Sequence, residues 1–376
     1  MDRVWRCALP PYDAIGLALS GGGIRAAVFH LGVLKFLATK GRLESVSGIS
    51  TVSGGSLGIG LVYTLNNHIW PTSPEFLTNV MPSARQTITS KSLLSLRVAP
   101  WLVIRHPIQT LFERAKLLSH QLQSQWKVSG TIGEVGPEPI WHINTTNYET
   151  GKNWRFSQRV TGDWKFGRTR QSDFSLADAL AASAAVPYAI GALRLSVPAD
   201  GWHASNPATG ELLEPIQPPL KRVRLWDGGV YENLGIEPLY KPGRGLIDCS
   251  KLIVSDAGAA LQNTWGRANS GGLPMSPRLF DLSSDQIRSL RARVIIEQFA
   301  ANRSGLWLQM GKSVETFSAA TGYNPVAEQY MGDEDVANIA SEPTHLRKLS
   351  EERFDAICRL GYETAHMSAK FFWPNL

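Results

Sequence analysis

Cysteine is scarce in this 376-residue chain: Cys7, Cys249 and Cys358 stand alone and far apart. There is no C-x-x-C pair and no cysteine/histidine pattern at metal-ligand spacing. A zinc site and a disulfide framework are therefore not expected, and the usage fits a reducing cytosol. Long apolar runs are also missing. The amino terminus carries Asp2, Arg3 and Arg6, then Pro10 and Pro11, with no signal-peptide apolar segment before them. The apolar stretch at 14–20 is strand-sized, and no segment approaches a membrane span. The expectation is a soluble, cytoplasmic protein. Low-complexity tracts and internal repeats are absent too, which sets disorder and solenoids aside. What is present is a globular composition, 43% hydrophobic and 19% charged, able to bury a substantial core. Its formal net charge of +6 is a mild excess. Such an excess more often marks an unspecialised basic surface than a nucleic-acid or membrane partner.

The pattern along the chain opens as an α/β layered fold. An apolar run over 14–19 ends in Ser20-Gly21-Gly22-Gly23, and Val28, Leu31, Leu34 and Leu37 then recur at helical spacing. Val46–Val52 reads as a second strand, running into Ser53-Gly54-Gly55-Ser56, after which 57–65 is helical again. Further strands are expected at 141–146, 223–226 and 251–255, and helices at 176–185, 284–300 and 350–371. Between 66 and 130 the character changes. Prolines interrupt it, and Arg85, Lys91, Arg97, Arg105, Arg114 and Lys116 stand against only Glu75 and Glu113. Ile108, Leu111, Phe112, Ala115, Leu118 and Leu122 fall on one helical face. This segment reads as a basic, helical cap or insertion on a single domain spanning 1–376. Its mixture of cations with Leu93, Leu94, Trp101 and Ile104 also suits a peripheral contact with an anionic membrane surface; packing on the core as a cap is the simpler role.

Three elements carry chemistry. Acyl transfer to a serine requires a hydroxyl on a sharp turn, a base within reach, and backbone donors for the oxyanion. Ser53 sits where a strand must turn into a helix, with small residues following. The strict G-x-S-x-G string is instead Gly54-Gly55-Ser56-Leu57-Gly58, and in the frame around Ser53 the first glycine is replaced by Thr51. Ser53 is preferred because the strand ends directly before it, while Ser56 falls in the first helical turn; both serines could also be plain helix caps. Gly21-Gly22-Gly23-Ile24-Arg25 follows a strand and opens a helix, so its amides can cradle an anion. With Ala26 it also fits the dinucleotide fingerprint, but Glu44 precedes the next strand instead of ending it, against that reading. Asp227-Gly228-Gly229 ends a later strand, as does Asp256. The eight histidines, among them His30, His142 and His366, lack the loop context of a triad base.

Together these elements resemble the patatin-like phospholipases, with similarity to the cytosolic phospholipase A2 catalytic domain. The resemblance rests on the G-G-G-x-R loop at Gly21–Arg25, the elbow at Ser53 some thirty residues on, and the distal Asp227-Gly228-Gly229. It is supported by the stretch from Ala181 to Pro187, which is similar to an A-S-x-A-x-P segment, and by Asn144 to Asn147. It implies a three-layer α/β fold with a central, mostly parallel sheet flanked by helices. It also implies a Ser53–Asp227 dyad without histidine, forming an acyl-enzyme on phospholipid or other acyl-ester lipid with no metal or cofactor demanded. Gly21, Gly22 and Gly23 would hold the oxyanion, with Gly54 beside them. Arg25 would either anchor a lipid phosphate or brace the elbow, and Asp256 is the reserve acid. A neutral-lipid or thioester hydrolase and a regulated lipid-binding effector are the alternatives.

Overall fold

The structure, a computed structural model, describes residues 14–94, 114–187, 189–259, 261, 276–323, 330–374 and 376. Strand β1 (Ile15–Leu19) is buried along its whole length, as an apolar run without alternation requires when both faces of a sheet are covered. It leads through Ser20–Gly22 into helix α1 (Gly23–Thr39). Strand β2 (Val46–Val52) follows, then helix α2 (Gly54–Leu65). After α3 (Met81–Ser90) and α4 (Arg114–Gln125) comes β3 (Ile140–Asn147).

An antiparallel extension then unfolds from β3: β4 (Asn153–Phe156), β5 (Thr161–Asp163) and β6 (Gly167–Thr169). Helix α5 (Leu176–Ser183), β7 (Leu193–Ser196), β8 (Trp202–Ser205) and β9 (Leu212–Ile216) lead to β10 (Arg222–Asp227). A short hairpin, β11 (Tyr240–Lys241) and β12 (Gly245–Leu246), precedes β13 (Lys251–Asp256). The chain ends in α6 (Ser276–Asn302), β14 (Gly305–Gln309), α7 (Val314–Thr321), α8 (Asp333–Ala340) and α9 (Glu351–Phe372).

The main sheet runs β14-β13-β1-β2-β3-β4-β5-β6-β8-β9, with β10 and β7 branching from β3. From β14 to β3 every pairing is parallel; from β3 onward every pairing is antiparallel. The parallel half is the α/β layered core expected from the sequence. Alternate residues of β1 and β13 serve opposite faces, as pleating dictates. Leu17, Leu19 and Ile253 pack with α1, α2 and α9, whereas Ala18, Leu252 and Val254 pack with Ile295 and Phe299 of α6. Helices α1 and α9 touch backbone to backbone. A side chain on Gly32 would enter the Cys358 carbonyl, and one on Gly361 would enter the Phe29 carbonyl.

The antiparallel extension has its own aromatic packing, Trp154 against Phe156, Phe166 and Trp202, built from strands that are short and individually weak in pattern. Of the 66–130 segment, residues 95–113 lie outside the described ones, and with them Arg97, Trp101, Arg105, Ile108, Leu111 and Phe112. The remainder is tied into the core: Phe76, Ala84, Ile88 and Leu93 are buried, as are Ala115, Leu118 and Leu122 of α4. Lys116 of α4 pairs with Asp178 of α5 at 2.7 Å, and Ser119 donates to the same carboxylate at 2.6 Å. The tail helix α9 begins where Ser350 accepts the Arg353 N–H at 3.2 Å. No helix among the described residues is long and apolar enough to cross a membrane.

Candidate active site

The carboxyl ends of β13, β1 and β2 share one edge of the parallel sheet, where open α/β sheets hold their ligands. Strand β3 brings a fourth strand end to the same place. Its first half pairs with β2 up to Val52↔Asn144. One residue further, β10 takes over, antiparallel, with Asp227 opposite Thr145 and Leu225 opposite Asn147. Strands β2 and β10 therefore approach each other head-on along β3. The residue after the end of β2 is Ser53, and the residue ending β10 is Asp227. Register alone brings these two side chains together across 174 positions of sequence.

Ser53 holds φ 50° and ψ −116°, a left-handed conformation that non-glycine residues rarely adopt and that costs of order 1–3 kcal/mol. Its neighbours make the turn feasible. A side chain on Gly54 would collide with the Gly23 carbonyl, so only glycine lets the two loops meet. The Gly55 N–H donates to the Ser20 carbonyl at 3.2 Å, and the Leu57 N–H donates to the Ser53 carbonyl at 3.0 Å. Ser56 lies in the first turn of α2 and is fully buried, bonded to Thr51 Oγ1 and Ser183 Oγ, each at 2.8 Å. It faces no opening.

Asp227 is 5% exposed. Burial pushes its carboxyl from 3.8 up to about 7, and hydrogen bonds from the Gly229 N–H and the Ser53 side chain pull part of that back. The Gly229 bond to Oδ1 measures 2.7 Å. The Asp227 main chain is pinned as well: its N–H donates to the Ala185 carbonyl at 3.0 Å, and its carbonyl accepts from Thr146 Oγ1 at 2.8 Å. No described histidine bonds to either residue. His30 is buried and held near 4, hence neutral, with Nε2 donating to the Ser20 carbonyl and Nδ1 accepting from Ser255 Oγ, both at 2.9 Å.

The glycine loop divides its labour. The Gly21 N–H is committed to the Asn233 carbonyl at 3.1 Å. Gly21 thus does not supply the oxyanion donor expected of it; it matters for its missing side chain, since a Cβ there would lie 2.9 Å from that of Ser53. By contrast, the amides of Gly22, Gly23 and Gly54 have no acceptor among the described residues. They sit at the amino termini of α1 and α2, neither of which has an acidic residue in its first turn, leaving the positive ends of both dipoles uncompensated.

Arg25 needs correction as a phosphate anchor. It is 2% exposed and spends its guanidinium on backbone carbonyls: Nη1 donates to Ala340 at 3.0 Å and Glu342 at 2.6 Å, and Nη2 donates to Ala257 at 3.0 Å. A cation so enclosed cannot meet a lipid head group. It ties α1 to the β13 loop and to the segment after α8. Asp256, the reserve acid, is 1% exposed and paired with Arg288 at 3.2 Å, so its charge is already answered. The described residues contain no cluster of three His, Cys, Asp or Glu side chains of the kind that holds a metal ion.

Several residues at this corner carried no sequence signal of their own. Asn233 is half-buried; its Oδ1 would be struck by a side chain on Gly21 and lies 2.9 Å from where a Cβ on Gly229 would stand, so it borders both Ser53 and Asp227. Buried Glu232 fixes its loop by accepting the N–H groups of Leu234, Gly235 and Ile236. Ser183, in the stretch already noted for its pattern, accepts the Ser53 N–H at 3.0 Å.

The family model of the patatin-like phospholipases matches residues 17–240, which is more than half of the chain and includes Ser53 and Asp227. The chain belongs to the patatin-like phospholipase family. Among solved structures, its fold is similar to that of human GIVD cytosolic phospholipase A2, with a TM-score of 0.55 and 12% identity over 96% of this chain and 63% of that one. Similar likeness is found to the same human enzyme in complex with methyl gamma-linolenyl fluorophosphonate (TM-score 0.51, 12% identity, 96% of this chain and 60% of that one). A further complex, with that inhibitor and terbium chloride, gives a TM-score of 0.53 and 13% identity over 95% and 58%. At such identities the likeness is one of fold. The chain spans about three fifths of the length of those structures. No curated protein matches it in sequence.

Proposed function

We propose that this protein hydrolyses acyl esters of lipids, as a phospholipase A or lysophospholipase, through a Ser53–Asp227 dyad. The observation that carries the reading is a serine on a strained turn at the end of β2, brought by strand register to a buried carboxyl that burial holds near 7. An ordinary aspartate is too weak a base to take a serine proton; one near 7 is poised for it.

In the first half-reaction, Asp227 takes the Ser53 hydroxyl proton as Oγ attacks the ester carbonyl carbon. The carbonyl oxygen gains the negative charge, and the amides of Gly22, Gly23 and Gly54, which have no other acceptor among the described residues, receive it. Such preorganised donors stabilise the transition state more than the ground state. The tetrahedral adduct collapses, the C–O bond to the alcohol breaks, and Asp227 returns the proton to the leaving oxygen. In the second half, Asp227 takes a proton from water, hydroxide oxygen attacks the acyl-Ser53 carbonyl, and the fatty acid leaves as Ser53 regains its proton. A substrate packed in a lipid layer would be met by peripheral contact at the membrane surface.

The test is mass spectrometry of a phospholipid mixture, with neutral glycerides and an acyl thioester included, before and after incubation. Wild type should release fatty acid and lysophospholipid, and Ser53→Ala should release neither. Equal release by both proteins would overturn the dyad, and release from glycerides or thioester alone would move the substrate class.

A further inference from the structure

Behind the elbow lies a chain of buried hydroxyls whose protons can be placed one by one. The Ser183 hydroxyl is 2.8 Å from the Asn144 carbonyl. A carbonyl cannot donate, so the single Ser183 proton points at Asn144. In the 2.8 Å contact between Ser183 and Ser56, Ser56 must then be the donor. With its proton spent, Ser56 accepts in its 2.8 Å contact with Thr51, so Thr51 donates. Thr51 Oγ1 in turn accepts the Trp141 indole N–H at 3.0 Å. Thr51, Ser56 and Ser183 are fully buried, and every proton in the series runs one way, from the indole to the Asn144 carbonyl. Each bond in such a chain polarises the next. The result is a Ser183 oxygen that accepts the Ser56 proton on one lone pair and the N–H of Ser53, 3.0 Å away, on the other.

We propose that Ser183, at the carboxyl end of α5, is a positioning residue for the reaction: its oriented hydroxyl is the acceptor that holds the Ser53 main chain in its left-handed turn. The inference rests on the Ser53–Asp227 reading above. The Ser53 amide sits past the end of β2 and accordingly has no ladder partner. Without Ser183 it would be a buried, unpaired donor, and the turn would lose the bond that opposes its relaxation. The departure at Thr51 from the glycine of the elbow pattern acquires a role here. Its hydroxyl closes the series at the indole end, accepting from Trp141 and donating to Ser56, in the direction that the Asn144 carbonyl imposes at the other end.

Two substitutions separate positioning from mere support. Ser183→Ala and Ser56→Ala each remove one hydroxyl from the same buried chain. Only Ser183→Ala deprives Ser53 of its acceptor, because in Ser56→Ala the Ser183 proton still points at Asn144. Labelling by a fluorophosphonate, followed by intact mass, reads the reactivity of Ser53. The rate constant should fall about 10- to 100-fold in Ser183→Ala, the scale of a small misplacement at a reacting atom. It should stay within about threefold of wild type in Ser56→Ala. Ser183→Cys, of similar size but a weak acceptor, should fall between and covers the case in which the alanine variant does not fold. Amide hydrogen exchange over 50–57 supplies a readout independent of catalysis: exchange should speed up in Ser183→Ala and not in Ser56→Ala, with β1 and α9 unchanged in both. Equal slowing of labelling in the two alanine variants, or protected exchange over 50–57 in Ser183→Ala, would overturn the proposal. A wild type that does not label would count against the hydrolase reading, and the exchange comparison would still decide the role of Ser183.

Discussion

Asp227→Asn keeps the shape of the side chain and removes a charge that burial disfavours, so activity and stability should move in opposite directions. The carboxyl rises from 3.8 to about 7 on folding. The folded protein therefore binds more protons at this site than the unfolded chain does between those two values. Stability is fully present below about 4 and is lost as pH climbs to 7, levelling off above it. At about 1.4 kcal/mol for each tenfold in proton affinity, ionised Asp227 forgoes at most about 4 kcal/mol. Asparagine avoids that loss, and its Oδ1 can still accept the Gly229 N–H. Urea unfolding at pH 5, 6, 7 and 8 should show the variant gaining on wild type across this range, by about 1–4 kcal/mol at pH 8. Its ester hydrolysis should fall by several orders of magnitude at every pH, because an amide cannot take the Ser53 proton. Wild-type kcat/KM should rise tenfold per pH interval of one below about 7 and then flatten. Parallel stability profiles for the two proteins would refute the argument. So would a variant that keeps a tenth or more of wild-type activity.

Ser53→Ala should abolish turnover while Ser56→Ala retains substantial activity, measured as fatty-acid release from lysophospholipid; the reverse ranking would move the nucleophile into α2. Gly22→Ala places a methyl 2.7 Å from the Ala257 carbonyl at a φ of 144° and should lower kcat by at least tenfold, with KM changed less, as the proposed oxyanion role of that amide requires. A pure KM effect would take Gly22 out of the oxyanion site. Arg25→Met strips three carbonyls of their donor and should cost about 3 kcal/mol by thermal unfolding. It should affect anionic and zwitterionic substrates by the same factor. Selective loss on anionic lipid would restore the phosphate-anchor role.

The strands and helices that position Ser53 and Asp227 were the legible part of the sequence. The strands at 15–19, 46–52 and 251–256 are rich in apolar and β-branched residues and almost wholly buried because the parallel half of the sheet is covered on both faces, and the glycine loop and elbow announce themselves at their ends. What lay beyond the sequence was the meeting of β2 and β10 on β3, a fact of register that no local pattern encodes. The strands from 153 to 216 were equally hidden, being short and held by aromatic contacts that only the fold assembles. Arg25 shows the limit of reading residue type: an arginine after a glycine loop suits an anion, yet three carbonyls distant in sequence claim it. Gly21 is the same lesson in the main chain, since the Asn233 carbonyl that occupies its amide is 212 residues away. Ser183 was visible as part of a pattern, but its bond to the Ser53 amide depends on where α5 ends against β3.

The central claim is that Ser53 is the nucleophile and Asp227 its base, and labelling with a fluorophosphonate followed by peptide mapping tests it most directly. The account predicts one adduct per chain, located on Ser53. The labelling rate of wild type should rise with pH through about 7 as Asp227 ionises, and in Asp227→Asn it should be lower by at least a hundredfold at all pH values. An adduct on Ser56, or a rate unchanged by Asp227→Asn, would contradict it.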